Sequence, residues 1–265
     1  MEPDMYLGVV PVIENLQITN ETTEDEIIDY AVMMKRMDQN KEMDVMLRGD
    51  KGNDDHIDKL AKKIAGFHKQ AGEIKNAFRT LDFQKDFADI QNHNEYVSEK
   101  LGGEYENMIN DCTDRSFDFL NANRSFSNER VISGFQRDCH GDLNCRNIFL
   151  YEDPVVFDCI EFSQELRQID VLNDIAFLCV DLDFFGKQDM SGMFYKNYLE
   201  YLGSDDDTRA RELFYYYKSY RANVRAKVTV ISAKKKKDGK NEKELDDAGT
   251  FIRLMAEYMN MITSK

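Results

Sequence analysis

Two apolar runs near the start of the chain have the pattern of β-strands. They are Tyr6–Ile13 and Ile27–Met34, and the polar segment Thr19–Asp25 lies between them. Runs of β-branched and aromatic residues bounded by polar turn residues are typical of paired strands. We therefore predict an antiparallel pair of strands before the first helix.

From about residue 54 onward, the apolar positions follow the spacing of helices. Ile57, Leu60 and Ile64 fall on one face, which predicts an amphipathic helix with Asp54 or Asp55 as its N-cap and an end near residue 71. Helical spacing also predicts further helices over residues 83–101, 104–123, 170–185, 190–202, 208–231 and 251–262. Short apolar runs on either side of a turn predict two short strands, over residues 149–151 and 155–158. This order of elements predicts an α+β fold that is mostly helical.

Composition and charge narrow the classes of function. The chain has 265 residues, of which 42% are hydrophobic and 32% charged, as in an ordinary soluble protein. Its net charge is −15, and because nucleic acids are bound through clusters of Lys and Arg, this balance predicts no nucleic-acid partner. No segment approaches the roughly 20 apolar residues of a membrane span, so we expect no membrane association and a cytoplasmic location.

The five cysteines show no C-x-x-C spacing, which disfavours a metal site or a redox pair built from them. Most of them lie in apolar segments, as reduced and buried thiols do. Cys139 and Cys145 flank Asp142, so a nucleophilic role is the alternative. Because His140 is the one accompanying base at suitable spacing, we expect packed thiols instead.

The segment CHGDLNCRN, residues 139–147, holds the candidate chemistry. Asp142 and Asn147 are five residues apart, which is the offset between the base Asp and an Mg²⁺-binding Asn in phosphotransferase catalytic loops. Asp158 then follows a short apolar run, at the place of a second metal-binding Asp. We predict that Asp142 accepts the proton of a substrate hydroxyl or orients it. Asn147 and Asp158 would hold Mg²⁺ through oxygen atoms.

The order H-G-D-L-x-x-x-N, followed by an apolar strand ending in Asp158, resembles the aminoglycoside phosphotransferase and choline kinase superfamily. Other segments are similar to one prokaryotic branch of that family, some members of which are fused to a P-loop ATPase domain; these segments are YLGVVP at 6–11, DCIEF at 158–162, DIAFL at 174–178 and YRANVRAK at 220–227. The similarity runs from about residue 3 to residue 230. It implies a protein kinase-like fold, with a mostly helical large lobe and only the last strands of the small lobe.

The resemblance also implies a division of the chain and a nucleotide site. Residues 1–39 would be the remnant of the small lobe and the hinge, and residues 40–265 the large catalytic lobe. Lys35 and Arg36, at the expected hinge, would bind the nucleotide together with Asn147 and Asp158. The chain contains neither G-x-G-x-x-G nor G-x-x-x-x-G-K-[ST]. Because its first residues match the family after the usual Gly-rich loop, strand Lys and helix Glu, we expect a chain truncated at its N-terminus.

Five further residues have accessory roles under this resemblance. His140 would shape the turn of the catalytic loop, with direct catalysis as the alternative, and Asp174 would accept hydrogen bonds from the loop backbone. Glu161 would reach a second metal through water or form a salt bridge. Arg221 and Arg225 lie four residues apart on one helix face. They would bind an anionic substrate group or a phosphate, or else pair with carboxylates.

Two classes of function follow from the sequence. The first is a phosphotransferase that uses ATP and Mg²⁺ and phosphorylates a hydroxyl of a small molecule. The second is a catalytically impaired, kinase-like binding or partner module, which the missing Gly-rich loop favours. A missing small-lobe segment supplied as a separate polypeptide would return the chain to the first class, and a P-loop ATPase is the other candidate partner.

Overall fold

The structure, a computed structural model, describes residues 5–14, 17–18, 26–76, 78–237 and 239–262. The strands are β1 Tyr6–Ile13, β2 Gln17–Ile18, β3 Ile27–Met34, β4 Gln136–Asp138, β5 Ile148–Phe149, β6 Val155–Val156 and β7 Gln168–Asp170. The helices are α1 Met43–Arg48, α2 Asp54–Gln70, α3 Thr80–Ala88, α4 Asn94–Leu101, α5 Gly103–Ala122, α6 Arg124–Ile132, α7 Gln164–Arg167, α8 Val171–Phe184, α9 Gln188–Leu202, α10 Thr208–Lys235 and α11 Glu242–Asn260. The architecture is mixed and mostly helical, as predicted.

The first three strands form an antiparallel sheet in the order β2-β1-β3. The predicted strands at residues 6–13 and 27–34 are confirmed with their bounds. The polar turn predicted at Thr19–Asp25 lies outside the described residues. Several apolar side chains of β1 and β3 remain exposed, Val9 and Tyr30 each by 63%. This sheet therefore presents apolar surface to solvent.

Helix α8 lies at the centre of the helical body. Every residue from Val171 to Asp183 is buried, so the helix is packed on all its faces, and the buried set includes the polar side chains Asn173, Asp174, Asp181 and Asp183. It packs against α9 and α10, while α10 pairs along its length with α11, and α2 packs on α9. Within the described ranges, no helix is both long enough and apolar enough to cross a bilayer.

The structure corrects several predicted helix ends. The N-cap of α2 is Asn53, whose side chain accepts a hydrogen bond from His56 N, and not Asp54 or Asp55. The helix predicted over residues 83–101 is divided into α3, a 3₁₀ segment over 89–93, and α4. Polar side chains such as Asn92 and Asp89 hydrogen-bond to each other there (2.8 Å), and local bonds of this kind compete with a continuous helix.

Two small antiparallel pairs place the predicted catalytic loop against α8. β4 pairs with β7, and β7 continues directly into α8. β5 pairs with β6 on the other side of residues 139–147. The loop therefore leaves a strand that is paired with the entrance to α8, and it ends at a second short strand pair.

Candidate active site

The loop over residues 139–147 has a sharp bend at Gly141 and ends in one 3₁₀ turn, Cys145–Asn147. Gly141 has φ = +84°, a backbone conformation that favours glycine. A Cβ at this position would lie 2.9 Å from the Leu166 carbonyl oxygen. Glycine is therefore required at this bend both by its backbone angles and by the lack of space.

Asp142 and Asn147 are in direct contact. Asn147 Nδ2 donates hydrogen bonds to the main-chain oxygen and to Oδ2 of Asp142, both at 2.9 Å. Asn147 is buried and Asp142 is half-buried. These bonds orient the Asp142 carboxylate, and they leave the amide oxygen of Asn147 as the atom suited to a cation.

Asp158 lies next to this pair in an uncommon backbone conformation. Its φ is +61°, and its carboxylate is on an exposed residue. Phe157 N donates to the main-chain oxygen of Asn147 (3.1 Å), and Asp158 N donates to the Tyr6 hydroxyl (3.3 Å). A positive φ at a non-glycine residue is uncommon and is found disproportionately at functional sites. The structure thus joins Asn147 to Asp142 directly and joins the segment that carries Asp158 to Asn147 through the Phe157 amide.

His140 connects Asp142 to the segment before Asp158. Its Nε2 donates to the Phe157 carbonyl oxygen (2.7 Å), and its Nδ1 accepts from Asp142 N (3.3 Å). Both bonds form when the neutral ring has its proton on Nε2. The ring is fully buried. The structure therefore places His140 where it shapes the turn.

Asp174, on α8, holds the first half of the loop. Its Oδ1 accepts from Gly141 N (2.8 Å), and its Oδ2 accepts from His140 N (3.2 Å). His68 Nε2 donates to the same Oδ2 (3.0 Å), while His68 Nδ1 contacts the Tyr198 hydroxyl (2.7 Å). Burial acts to raise the pKa of Asp174, but the hydrogen bond and charge of His68, with His140 and Arg221, outweigh it and lower that pKa.

Asp181, two helical turns further along α8, holds the second half of the loop. Its Oδ2 accepts a hydrogen bond from Cys145 N (3.0 Å), and its Oδ1 lies 3.1 Å from Arg225 Nε. Burial raises the pKa of Asp181, although Arg225 and the Cys145 amide act to lower it. Sequence reasoning missed both His68 and Asp181 as site residues. The available signal for Asp181 was a carboxylate in a mostly apolar helix, seven residues after Asp174.

The two arginines on α10 make internal contacts. Arg225 pairs with Asp181, which is the carboxylate-pairing alternative. Arg221 is buried, donates from Nε to Asn173 Oδ1 (2.7 Å), and lies over the Phe177 ring (4.8 Å). Both cations therefore support the helices behind the loop.

Lys35, Arg36 and Glu161 are exposed. Lys35 follows β3, and its backbone N donates to Met5 O (2.9 Å). The segment after it is joined to β5 and the following turn, because Asp38 N donates to the Tyr151 hydroxyl (2.9 Å) and Leu150 N to the Lys41 carbonyl (2.7 Å). This attachment places the predicted hinge beside the β5–β6 pair.

The thiols of Cys139 and Cys145 are buried, and burial raises the pKa of each well above its usual value. Cys139 Sγ donates to the Ile169 carbonyl oxygen at 3.4 Å. A thiol with a raised pKa holds little of the nucleophilic thiolate. These contacts support the packed role expected for both cysteines.

Comparison with known proteins identifies the family. The sequence model of the phosphotransferase enzyme family (APH) matches residues 7–214. Uncharacterized proteins of Mycobacterium tuberculosis (Rv2004c and MT2060) and Mycobacterium bovis (Mb2027c) are each 29% identical over 211 residues, a match that covers 76% of this chain and 40% of theirs. The chain thus aligns to less than half the length of these relatives, and no solved structure matches it significantly. With its loop geometry and a family match over most of its length, the chain belongs to the phosphotransferase enzyme family.

Proposed function

We propose that this chain transfers the γ-phosphoryl group of ATP to a hydroxyl of a small molecule, on a protein kinase-like fold and with Mg²⁺. The observation that supports this most directly is the contact between Asp142 and Asn147, together with the hydrogen bond from Phe157 N, of the residue before Asp158, to the main-chain oxygen of Asn147. A base and two metal ligands in this order are the parts that phosphoryl transfer requires.

Asp142 is assigned the role of base. Its Oδ2 is held by Asn147, so Oδ1 is the oxygen that would face the acceptor hydroxyl. The hydroxyl oxygen forms a bond to the γ-phosphorus while the bond from phosphorus to the bridging oxygen of ADP breaks, and the hydroxyl proton passes to Asp142. In a loose transition state, orientation of the attacking oxygen contributes more than the strength of the base.

Asn147 and Asp158 provide donors that fit Mg²⁺. An amide oxygen and a carboxylate are the hard oxygen ligands this cation prefers. The hydrogen bonds from Asn147 Nδ2 to Asp142 fix which end of the amide is available. Bound Mg²⁺ would neutralise negative charge on the nucleotide phosphates, and Asn147 and Asp158 would determine the position of the cation.

The nucleotide-binding roles of Lys35 and Arg36 are part of the same proposal. Both are exposed cations beside the segment that joins β3 to the helical body. In this proposal residues 1–39 form the small-lobe portion and hinge, residues 40–265 form the catalytic lobe, and Glu161 has an accessory role near the metal.

A catalytically impaired binding module is the second candidate. It is favoured by the lack of a Gly-rich phosphate motif in the sequence and by the exposed apolar side chains of β1 and β3. Such a sheet would suit a separate small-lobe segment or a P-loop ATPase partner. Loss of nucleotide binding by the isolated chain would support this candidate.

Thermal unfolding with and without Mg²⁺ and ATP tests the proposal. Ligand at 100 times its Kd stabilises the native state by about 2.7 kcal/mol. We expect a stabilisation by ATP that requires Mg²⁺ in the unmodified chain and that Asp158→Ala removes. Asp118→Ala, at an exposed position of α5, is the matched control and should retain the shift. Absence of any metal-dependent shift in the unmodified chain would contradict the proposal.

A further inference from the structure

We propose that Asp181, together with Arg225, is a positioning residue for the metal-binding half of the catalytic loop. This inference rests on the proposed phosphotransferase function. It gives α8 two separate tasks: Asp174 holds the part of the loop that contains the base, and Asp181 holds the turn that contains Asn147.

The spacing on α8 makes both contacts possible. Asp174 and Asp181 are seven residues apart, which is about two helical turns and about 10 Å along the axis, so their side chains share one face. The first carboxylate accepts from the amides of His140 and Gly141, and the second from that of Cys145. One rigid and fully buried helix thereby contacts the loop on both sides of Asp142.

Cys145 N is the first amide of the turn that ends in Asn147. The other two amides of that turn bond to Asn144, because Arg146 N donates to its Oδ1 (2.9 Å) and Asn147 N to its main-chain oxygen (3.1 Å). Amides in the first turn of a helix lack internal partners, and a buried one without an acceptor costs about 1–3 kcal/mol. Asp181 therefore provides, from outside the loop, the acceptor that keeps this turn in place.

Arg225 makes the buried carboxylate of Asp181 tolerable. Asp181 is only 1% exposed, and a charge so deeply buried requires a partner. The Arg225 guanidinium lies over the Phe251 ring at 5.1 Å, which fixes its side chain between α8 and α11. Arg225, for which the resemblance implied either an anionic ligand or a carboxylate partner, thus contacts a carboxylate behind the loop.

A specific consequence is that Asp181 affects metal binding more than nucleotide binding. Loss of the Asp181 contact frees the turn and moves the amide oxygen of Asn147. Removal of residues that orient metal ligands costs about 10–100-fold in metal affinity. The affinity for ATP measured without divalent cation should remain as it is, because the side chains of Asp181 and Arg225 are only 1% and 20% exposed and contact each other.

The experiment uses Mn²⁺ as the spectroscopic substitute for Mg²⁺. Its Kd is measured by electron paramagnetic resonance in the presence of a non-hydrolysable ATP analogue. The proteins compared are the full chain and the variants Asp181→Asn, Asp181→Ala, Arg225→Met, Arg225→Lys and Asn147→Ala. We expect Asp181→Ala and Arg225→Met to raise the Kd for Mn²⁺ at least tenfold. Asp181→Asn, which retains an acceptor for Cys145 N, should have a smaller effect, and Arg225→Lys should recover most of the affinity. Asp118→Asn is the matched control.

Amide hydrogen exchange in the ligand-free protein gives a second readout. The segment over residues 143–149 should exchange faster in Asp181→Asn and Asp181→Ala, while the segments of α9 and α10 remain as protected as in the unmodified chain. This comparison separates a local loss of position from general unfolding. It also applies if Asp181→Ala folds poorly, because Asp181→Asn is the milder change.

The outcomes distinguish this inference from the proposed function. If the unmodified chain binds Mn²⁺, Asn147→Ala abolishes that binding and the Asp181 and Arg225 variants bind normally, the positioning role is wrong while the function stands. If the unmodified chain binds no Mn²⁺ with the nucleotide, the proposed function is wrong. Unchanged exchange over residues 143–149 in the Asp181 variants would overturn the positioning role in either case.

Discussion

Asp174→Asn tests whether one buried carboxylate holds the catalytic loop. The substitution keeps the shape of the side chain but replaces an acceptor oxygen with a donor NH₂ group. At the Oδ2 position that donor would face His140 N, which is 3.2 Å away and also a donor. His68 can adapt by moving its proton to Nδ1, because the Tyr198 hydroxyl can then accept it. The backbone amide of His140 has no such alternative.

The expected loss of stability follows from these contacts. A hydrogen bond to a charged group contributes about 1.5–3 kcal/mol, and a buried amide left without an acceptor costs about 1–3 kcal/mol. The bond from Gly141 N also weakens, because its acceptor is no longer charged. Together these effects predict a loss of about 3–5 kcal/mol. For a chain of this length that corresponds to a fall in Tm of roughly 10 °C.

Urea unfolding followed by circular dichroism measures this loss. Asp118→Asn, the same chemical change at an exposed residue of α5, should stay within about 0.5 kcal/mol of the unmodified chain. A loss below about 1 kcal/mol for Asp174→Asn would refute the reasoning, since it would show that the loop amides find other acceptors.

Three further predictions concern the same region. Gly141→Ala should lower the free energy of unfolding by about 1–3 kcal/mol, because of the backbone angles and the close contact at this position. Gly192→Ala, at an exposed position of α9 with open space around its Cβ, should raise that free energy by about 0.5–1 kcal/mol. The two substitutions should therefore shift the midpoint of urea unfolding in opposite directions. The five thiols, including Cys159 with its pKa raised by burial to about 11, should react slowly with a disulfide reagent at pH 8 in the native chain and rapidly after unfolding. Fast labelling of the native chain would contradict their packing. The pKa of Asp174 is lowered in the folded chain, so its contribution to stability is present above about pH 4 and is lost as the pH falls through the folded-state pKa. The difference in unfolding free energy between the unmodified chain and Asp174→Asn should therefore shrink as the pH falls over that range. A difference that stays constant with pH would contradict the lowered pKa.

The sequence predicted the parts of the structure that local pattern determines. The strands at residues 6–13 and 27–34 have the expected bounds because their β-branched residues end at polar turns. The five-residue offset from Asp142 to Asn147 could be read from the sequence because both residues belong to one short loop. The helix predicted over residues 170–185 begins at the expected place, since the Asp170 side chain caps α8 by accepting a hydrogen bond from Leu172 N.

Contacts between distant segments were not predictable in the same way. His68 is 106 residues from Asp174, and Asp181 is 36 residues from Cys145. Helical spacing placed Ile57, Leu60 and Ile64 on the buried face of α2, but it did not show which acceptor the ring of His68 meets. The partner of Arg225 was open for the same reason, since many carboxylates in an acidic chain are equally possible before the helices are packed.

The seven-residue interval between Asp174 and Asp181 limits how this chain can tolerate insertions and deletions. One residue added to α8 between them would rotate the second carboxylate by about 100° around the axis, away from the loop. A longer turn at Glu152–Pro154, between β5 and β6, would change neither contact. Length variation among natural variants of this chain should therefore accumulate at that turn and be excluded from residues 175–180. In a library of single-residue insertions, folded variants should be absent for insertions at residues 175–180, whereas insertions at the turn should leave the chain folded.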